Sequence, residues 1–152
     1  MIQGIIFDMD GVLFDTEPFY FQRREAFLQA KGITIDHLSA KDFIGGNLQE
    51  LWKDLLDEHF TPEEAKAVAE AYESYKLQHK PPYAEVLFTE VRPCLQALRD
   101  KNIKLALASN SNRDDILLAL ETSHIKDYFE VILAREDVCL LYTSPSPRDR
   151  QK

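Results

Sequence analysis

The run Ile5-Ile6-Phe7-Asp8-Met9-Asp10-Gly11-Val12 constrains the fold of this chain more than any other segment. Apolar residues stop abruptly at two carboxylates one residue apart, and a glycine follows. A short, continuous apolar stretch of this kind predicts a buried strand of a parallel sheet. Ligands of open α/β sheets gather beyond the carboxyl ends of the strands, so both acids are delivered to that edge. The plain alternative, a helix or turn cap that carries two aspartates, leaves Gly4 through Phe7 as an unexplained strand.

The period then changes. Asp15-Thr16-Glu17-Pro18 predicts a helix start, with a capping side chain and then an acid and a proline in the first turn. The helix should run to Lys31 and stop at Gly32. Ser39-Ala40-Lys41-Asp42 opens a short helix that ends at Gly45-Gly46. Leu48, Leu51, Trp52, Leu55 and Leu56 recur at i, i+3, i+4, i+7 and i+8, one continuous apolar face on which Trp52 reads as core. Thr61-Pro62-Glu63-Glu64 is a capping box, and its helix carries Ala65, Val68, Ala69, Tyr72 and Tyr75 until Pro81-Pro82. Nothing between Pro18 and Pro82 has a strand pattern.

Glu90 to Lys101 reads as a helix again, with Cys94 as a small buried hydrophobe. Lys104 to Ala108 predicts a second buried strand, Ser109 to Asn112 a polar turn, Arg113 to Thr122 a helix, and Val131-Ile132-Leu133 a third strand. Strand–helix–strand order with helices inserted after the first strand implies an α/β core carrying a helical cap. The expected division is core 1–15, cap 16–85 and core 86–138.

Residues 139–152 do not continue this pattern. Cys139-Leu140-Leu141-Tyr142-Thr143-Ser144-Pro145-Ser146-Pro147-Arg148-Asp149 resembles the translation of a transposon-type sequencing-library adapter. We therefore leave Cys139 to Lys152 out of the fold reasoning.

Bulk properties narrow the partners. A chain of 152 residues holds one good core or two small ones. Its net charge of −8 argues against nucleic acid or an anionic membrane. The two cysteines, Cys94 and Cys139, lack metal-like spacing and suit a reducing cytoplasm. His37, His59, His79 and His124 are scattered without ligand spacing. No apolar stretch approaches the length of a membrane span. A cytoplasmic protein is expected.

Asp8 and Asp10 invite separate roles. An ionised Asp8 can attack phosphorus without an activating base, while Asp10 can protonate a leaving alkoxide and later deprotonate water. Mg²⁺ beside Asp8 relieves repulsion between the carboxylate and a phosphoryl group, and free amides of the Met9-Asp10-Gly11 turn would add donors. Ser109 and Asn110, at the end of the second strand and ahead of a helix N-terminus, offer a hydroxyl, an amide and free backbone N–H groups to phosphate. Serine and asparagine also cap ordinary helices, so that second element gains its force from the first.

Together, Phe7 to Glu17, the helical insertion and Leu107-Ala108-Ser109-Asn110-Ser111 resemble the haloacid dehalogenase superfamily, most closely its β-phosphoglucomutase-like phosphatases with an α-helical cap. The resemblance implies a Rossmann-like parallel sheet and a Mg²⁺-dependent, monomeric phosphatase of a small, sugar phosphate-like metabolite. It implies Asp8 as the nucleophile that becomes an aspartyl phosphate, and Asp10 as general acid and base. Ser109, with Asn110 beside it, would be the phosphate ligand. The Asp8 side chain and the Asp10 carbonyl would hold Mg²⁺. Asp15 and Thr16 match the hinge into the cap, and Gly45, Gly46 and Asn47 the cap loop that meets substrate.

Two departures matter. The family next uses a lysine, and then an acidic pair on a fourth strand beside the first; neither follows Glu136-Asp137-Val138. The chain as written is therefore expected to be poorly stable, with an open edge on the first strand, and to lack turnover. Ile44 and Leu48 stand where the mutase branch carries basic residues, which favours monophosphate hydrolysis over the alternative, a phosphosugar mutase. A receiver domain also places paired acids after its first strand, but the long helical insertion argues against it.

Overall fold

The computed structural model of the chain describes residues 1–43 and 48–137. Gly45, Gly46 and Asn47 and the tail from Cys139 onward lie outside the described residues. The chain divides into two compact units, one formed by Met1–Asp15 with the residues from Pro82 onward, the other by Thr16–Pro81. The second boundary thus falls at Pro82, a few residues before the expected one, because the short helix that follows belongs to the sheet unit.

In the sheet unit, strands β1 (Gly4–Phe7), β2 (Lys104–Ala108) and β3 (Val131–Leu133) form a parallel sheet in the order β1-β2-β3. Register pairs Phe7 with Leu107 and Leu107 with Ile132. Right-handed crossovers that step repeatedly in one direction put their helices on one face. Accordingly, one core gathers Leu105 and Leu107 with residues of the two crossover helices. Val91 and Leu95 come from α5 (Val91–Asp100), and Ile116, Ala119 and Leu120 from α6 (Arg113–Thr122). Ile5, Phe7 and Ile132 pack against that core from the same face of the sheet.

The opposite face is different. Ile6 is 69% exposed, and Val131 and Leu133, on the same face by register, are also exposed. β1 is therefore not the fully buried strand expected from its apolar run. Among the described residues it is an edge strand with helices on one side only.

The second unit contains α1 (Glu17–Ala30), α2 (Leu48–His59) and α3 (Pro62–Gln78), with a 3-10 turn at Ala40–Phe43. Phe27, Leu28, Ile33, Ile35, Leu55, Leu56, Ala65, Val68 and Tyr72 close its core. Trp52 packs there, its ring 4.9 Å from that of Tyr72. The capping box of α3 forms in both directions, Glu64 N–H to Thr61 Oγ1 at 3.3 Å and Thr61 N–H to Glu64 Oε2 at 3.0 Å. Thr16 differs from expectation. It stands before α1 with helical angles, φ −90° and ψ −18°, and its side chain makes no capping bond. Burial lowers the Arg24 guanidinium from its ordinary value, with Tyr72 acting the other way.

Three helices end alike. At α1, Gly32 N–H reaches Gln29 O and Ile33 N–H reaches Leu28 O; α5 does the same with Asn102 and Ile103, and α6 with His124 and Ile125. Gly32, Asn102 and His124 have φ of 78°, 61° and 57°. This double bond pattern satisfies the orphan carbonyls of a helix end and lays an isoleucine back on a leucine of the last turn. The short helix α4 (Tyr83–Val86) was not expected; Pro82 starts it, and it buries Tyr83 edge-on against Phe14 at 5.6 Å. Cys94 is exposed rather than buried, because α5 turns Val91 and Leu95 inward and Cys94 lies beside that stripe.

Candidate active site

Beyond the carboxyl end of β1 the chain makes a tight turn. Met9 O accepts N–H groups from Leu13 at 2.9 Å and Phe14 at 3.2 Å, and Gly11 N–H donates to Phe14 O at 2.8 Å. Gly11 sits at φ 77°, a left-handed conformation that favours glycine. Met9, Leu13 and Phe14 are buried and anchor the turn in the core. Sequence alternation around buried Met9 leaves Asp8 exposed and Asp10 half-buried.

The turn corrects one expectation. Met9 N–H donates to Asp8 Oδ1 at 2.7 Å, and Gly11 N–H is engaged with Phe14. Neither amide is free for a phosphoryl group, since a turn this short satisfies its own donors. The bond from Met9 instead orients Asp8. Among the described residues no other donor reaches that carboxylate.

Beyond β2, Ser109 is 8% exposed and tied to β3 by its N–H, which donates to Leu133 O at 3.0 Å. Its Oγ accepts the Ser111 N–H at 3.1 Å, and its hydroxyl proton has no acceptor among the described residues. Asn110 is exposed and its side chain is without a hydrogen bond there. Ser111 Oγ donates to Asp10 Oδ2 at 3.0 Å, which brings the two loops together although they are 101 residues apart in sequence. Sequence reasoning gave Ser111 no role. A turn serine carries no sign of a partner so distant.

The N-terminus of α6 is less open than expected. Asn112 Oδ1 accepts the Asp115 N–H at 2.9 Å, and the Glu136 carboxylate takes the Arg113 N–H at 2.9 Å. An anion at a helix N-terminus is favoured, and here the chain supplies its own. Asp137 joins the arrangement, accepting from Ala134 N–H at 2.7 Å and pairing with the Arg113 guanidinium. The expectation of free N–H groups there holds for neither Arg113 nor Asp115, and the donors left open in this loop among the described residues are the Ser109 hydroxyl and the Asn110 amide.

Asp15 and Thr16 straddle the boundary between the two units. Asp15 N–H donates to Val86 O at 2.8 Å, and Thr16 is fully buried. Gly45, Gly46 and Asn47, the expected substrate loop, lie outside the described residues. All four histidines are exposed. Among the described residues no group of three or more His, Cys, Asp or Glu side chains is arranged to hold a metal ion.

The chain is 29% identical over 143 residues to the phosphorylated carbohydrates phosphatase of Thermotoga maritima, covering 90% of this chain and 63% of that protein. It is 26% identical over 144 residues to the phosphoglycolate phosphatase of Aquifex aeolicus, covering 94% of this chain and 65% of the relative. The chain thus spans a little under two thirds of the relatives it matches. Its fold is similar to that of β-phosphoglucomutase from Clostridium difficile, with a TM-score of 0.67 at 24% identity, over 90% of this chain and 63% of that one. The model of the haloacid dehalogenase-like hydrolases matches residues 5–141, and the chain belongs to that family.

Proposed function

We propose that the chain carries the nucleophile and the acid–base group of a Mg²⁺-dependent phosphatase acting on a small, sugar phosphate-like metabolite. The observation that carries the reading is the meeting of the two loops, with Ser111 bonded to Asp10 beside Asp8 at the carboxyl edge of the sheet. The activities named for the two curated relatives, both phosphatases of small organic phosphates, support it.

An Asp8 carboxylate oxygen attacks phosphorus, and the bond to the ester oxygen breaks as Asp10 protonates the departing alkoxide. Asp10, now ionised, takes a proton from water, which attacks the aspartyl phosphate; inorganic phosphate leaves and Asp8 is regenerated. Ser109 and Asn110 would hold the phosphoryl oxygens through charge-assisted hydrogen bonds.

The donor set suits Mg²⁺. It offers hard oxygens, the Asp8 side chain and the Asp10 carbonyl, and Mg²⁺ commonly takes one or two protein carboxylates with water and phosphate oxygens. When bound, the ion neutralises charge on the phosphoryl group. The phosphosugar mutase alternative has likeness to solved β-phosphoglucomutase structures in its favour, whereas the two curated relatives above are both named as phosphatases.

The test is ³¹P NMR, with acetyl phosphate and Mg²⁺, of this chain continued through the lysine and the acidic pair that the family resemblance implies. An acyl phosphate resonance on the protein is expected, absent from Asp8→Asn and after chelation of the metal. Equal adduct on Asp8→Asn would contradict the reading.

A further inference from the structure

We infer that Glu136 is a positioning residue for the Ser109–Asn110 loop, its carboxylate fastening the end of that loop to the segment that leaves β3. What the loop binds rests on the phosphatase reading above; how it is fastened does not.

The loop from Ser109 to Asn112 joins β2 to α6 and carries the open donors of the site. A hydroxyl and an amide serve a phosphoryl group only within a narrow range of distance and angle, so the loop that presents them must be held. It is tied to the segment after β3 at alternate residues. Ser109 N–H donates to Leu133 O at 3.0 Å, Ser111 O accepts the Arg135 N–H at 3.0 Å, and Arg113 N–H meets Glu136.

The last tie differs from the others because it depends on a side chain. Arg113 is the first residue of α6, so its N–H has no acceptor within the helix. Both Glu136 oxygens receive it, Oε2 at 2.9 Å and Oε1 at 3.2 Å, and that carboxylate has no other hydrogen bond among the described residues. An exposed glutamate ordinarily points into water. This one is given to a single amide, at a helix end whose dipole favours negative charge. Asp137 braces the same corner, since it accepts the Ala134 N–H at 2.7 Å and pairs with the Arg113 guanidinium. Consecutive acids thus grip one residue, and the loop between Ser109 and Arg113 is fastened at both ends.

The experiment uses the chain continued through the lysine and the acidic pair that the family resemblance implies, with Mg²⁺ and inorganic phosphate as the probe. ¹⁵N order parameters of residues 109–112 should fall in Glu136→Ala and hold in Glu136→Gln, whose amide oxygen accepts the same N–H. The dissociation constant for phosphate is read from the Ser109 and Asn110 amide shifts. It should rise about fivefold in Glu136→Ala and stay within about twofold in Glu136→Gln. Arg113→Pro removes the donor instead. Asn112 already has φ −69° and ψ 157°, which suit a residue before proline, and proline is tolerated at the first helical position. That variant should reproduce the loss, and Glu136→Ala should add nothing to it. Unchanged order or unchanged affinity in Glu136→Ala, or the same loss again in the Arg113→Pro background, overturns the inference. If phosphate leaves the Ser109 and Asn110 amides of the wild type unmoved, the phosphate reading falls, while the order parameters still decide the fastening.

Discussion

Some side chains are held by near neighbours in sequence and others by partners that sequence order hides. Asp42 is of the first kind, since its partner is three residues away. Ser39 N–H donates to its Oδ2 at 2.7 Å and the Ser39 hydroxyl at 3.0 Å, and those bonds, the backbone one first, hold the Asp42 carboxyl below its ordinary value. A depressed carboxylate stabilises the fold above the unfolded value and loses that contribution as pH falls through the folded one. The Ser39 amide resonance should therefore titrate below the usual carboxylate range, and Ser39→Ala should move the midpoint only part of the way back. A midpoint already at the ordinary value would contradict this. Asp8 and Asp10 were legible as a pair because strand, acids and glycine are contiguous. Ser111, Glu136 and the engaged amides of Met9 and Gly11 were not. Ser111 and Glu136 depend on closures in three dimensions, 101 residues wide for Ser111 and Asp10, and the two amides on the local geometry of a tight turn that residue types alone do not fix.

Element positions were largely legible, since apolar period and caps are local signals. The helix predicted over Arg113 to Thr122 and the strands over Lys104 to Ala108 and Val131 to Leu133 occupy those residues. What failed was burial, as with β1 and Cys94, because burial depends on which neighbours arrive. The recurring helix ending, read in sequence as Leu, then four residues to an isoleucine, places His124 at φ 57°. A left-handed residue other than glycine is strained, so His124→Gly should stabilise the chain by about 0.5–1 kcal/mol in denaturant titration. Destabilisation would contradict that account. Edge strands with exposed apolar side chains promote self-association. Ile6, 69% exposed on β1, makes Ile6→Lys the test. Light scattering should show less association at equal concentration, and unchanged scattering would count against the edge as its source.

At the scale of the whole molecule, each unit closes a core of its own, one around Leu107 and one around Phe27 and Tyr72. The net charge of −8 opposes anionic ligands, so the proposed recognition of a phosphate would rest on local donors rather than on the overall field. The matching relatives continue well beyond the length of this chain, so the reading of function rests on the residues at the sheet edge. The most direct measurement locates the phosphoryl group itself. After exposure of the chain continued through the implied lysine and acidic pair to acetyl phosphate and Mg²⁺, borohydride reduction and peptide mapping should mark Asp8. A mark on any other residue, or on none, would contradict the central claim.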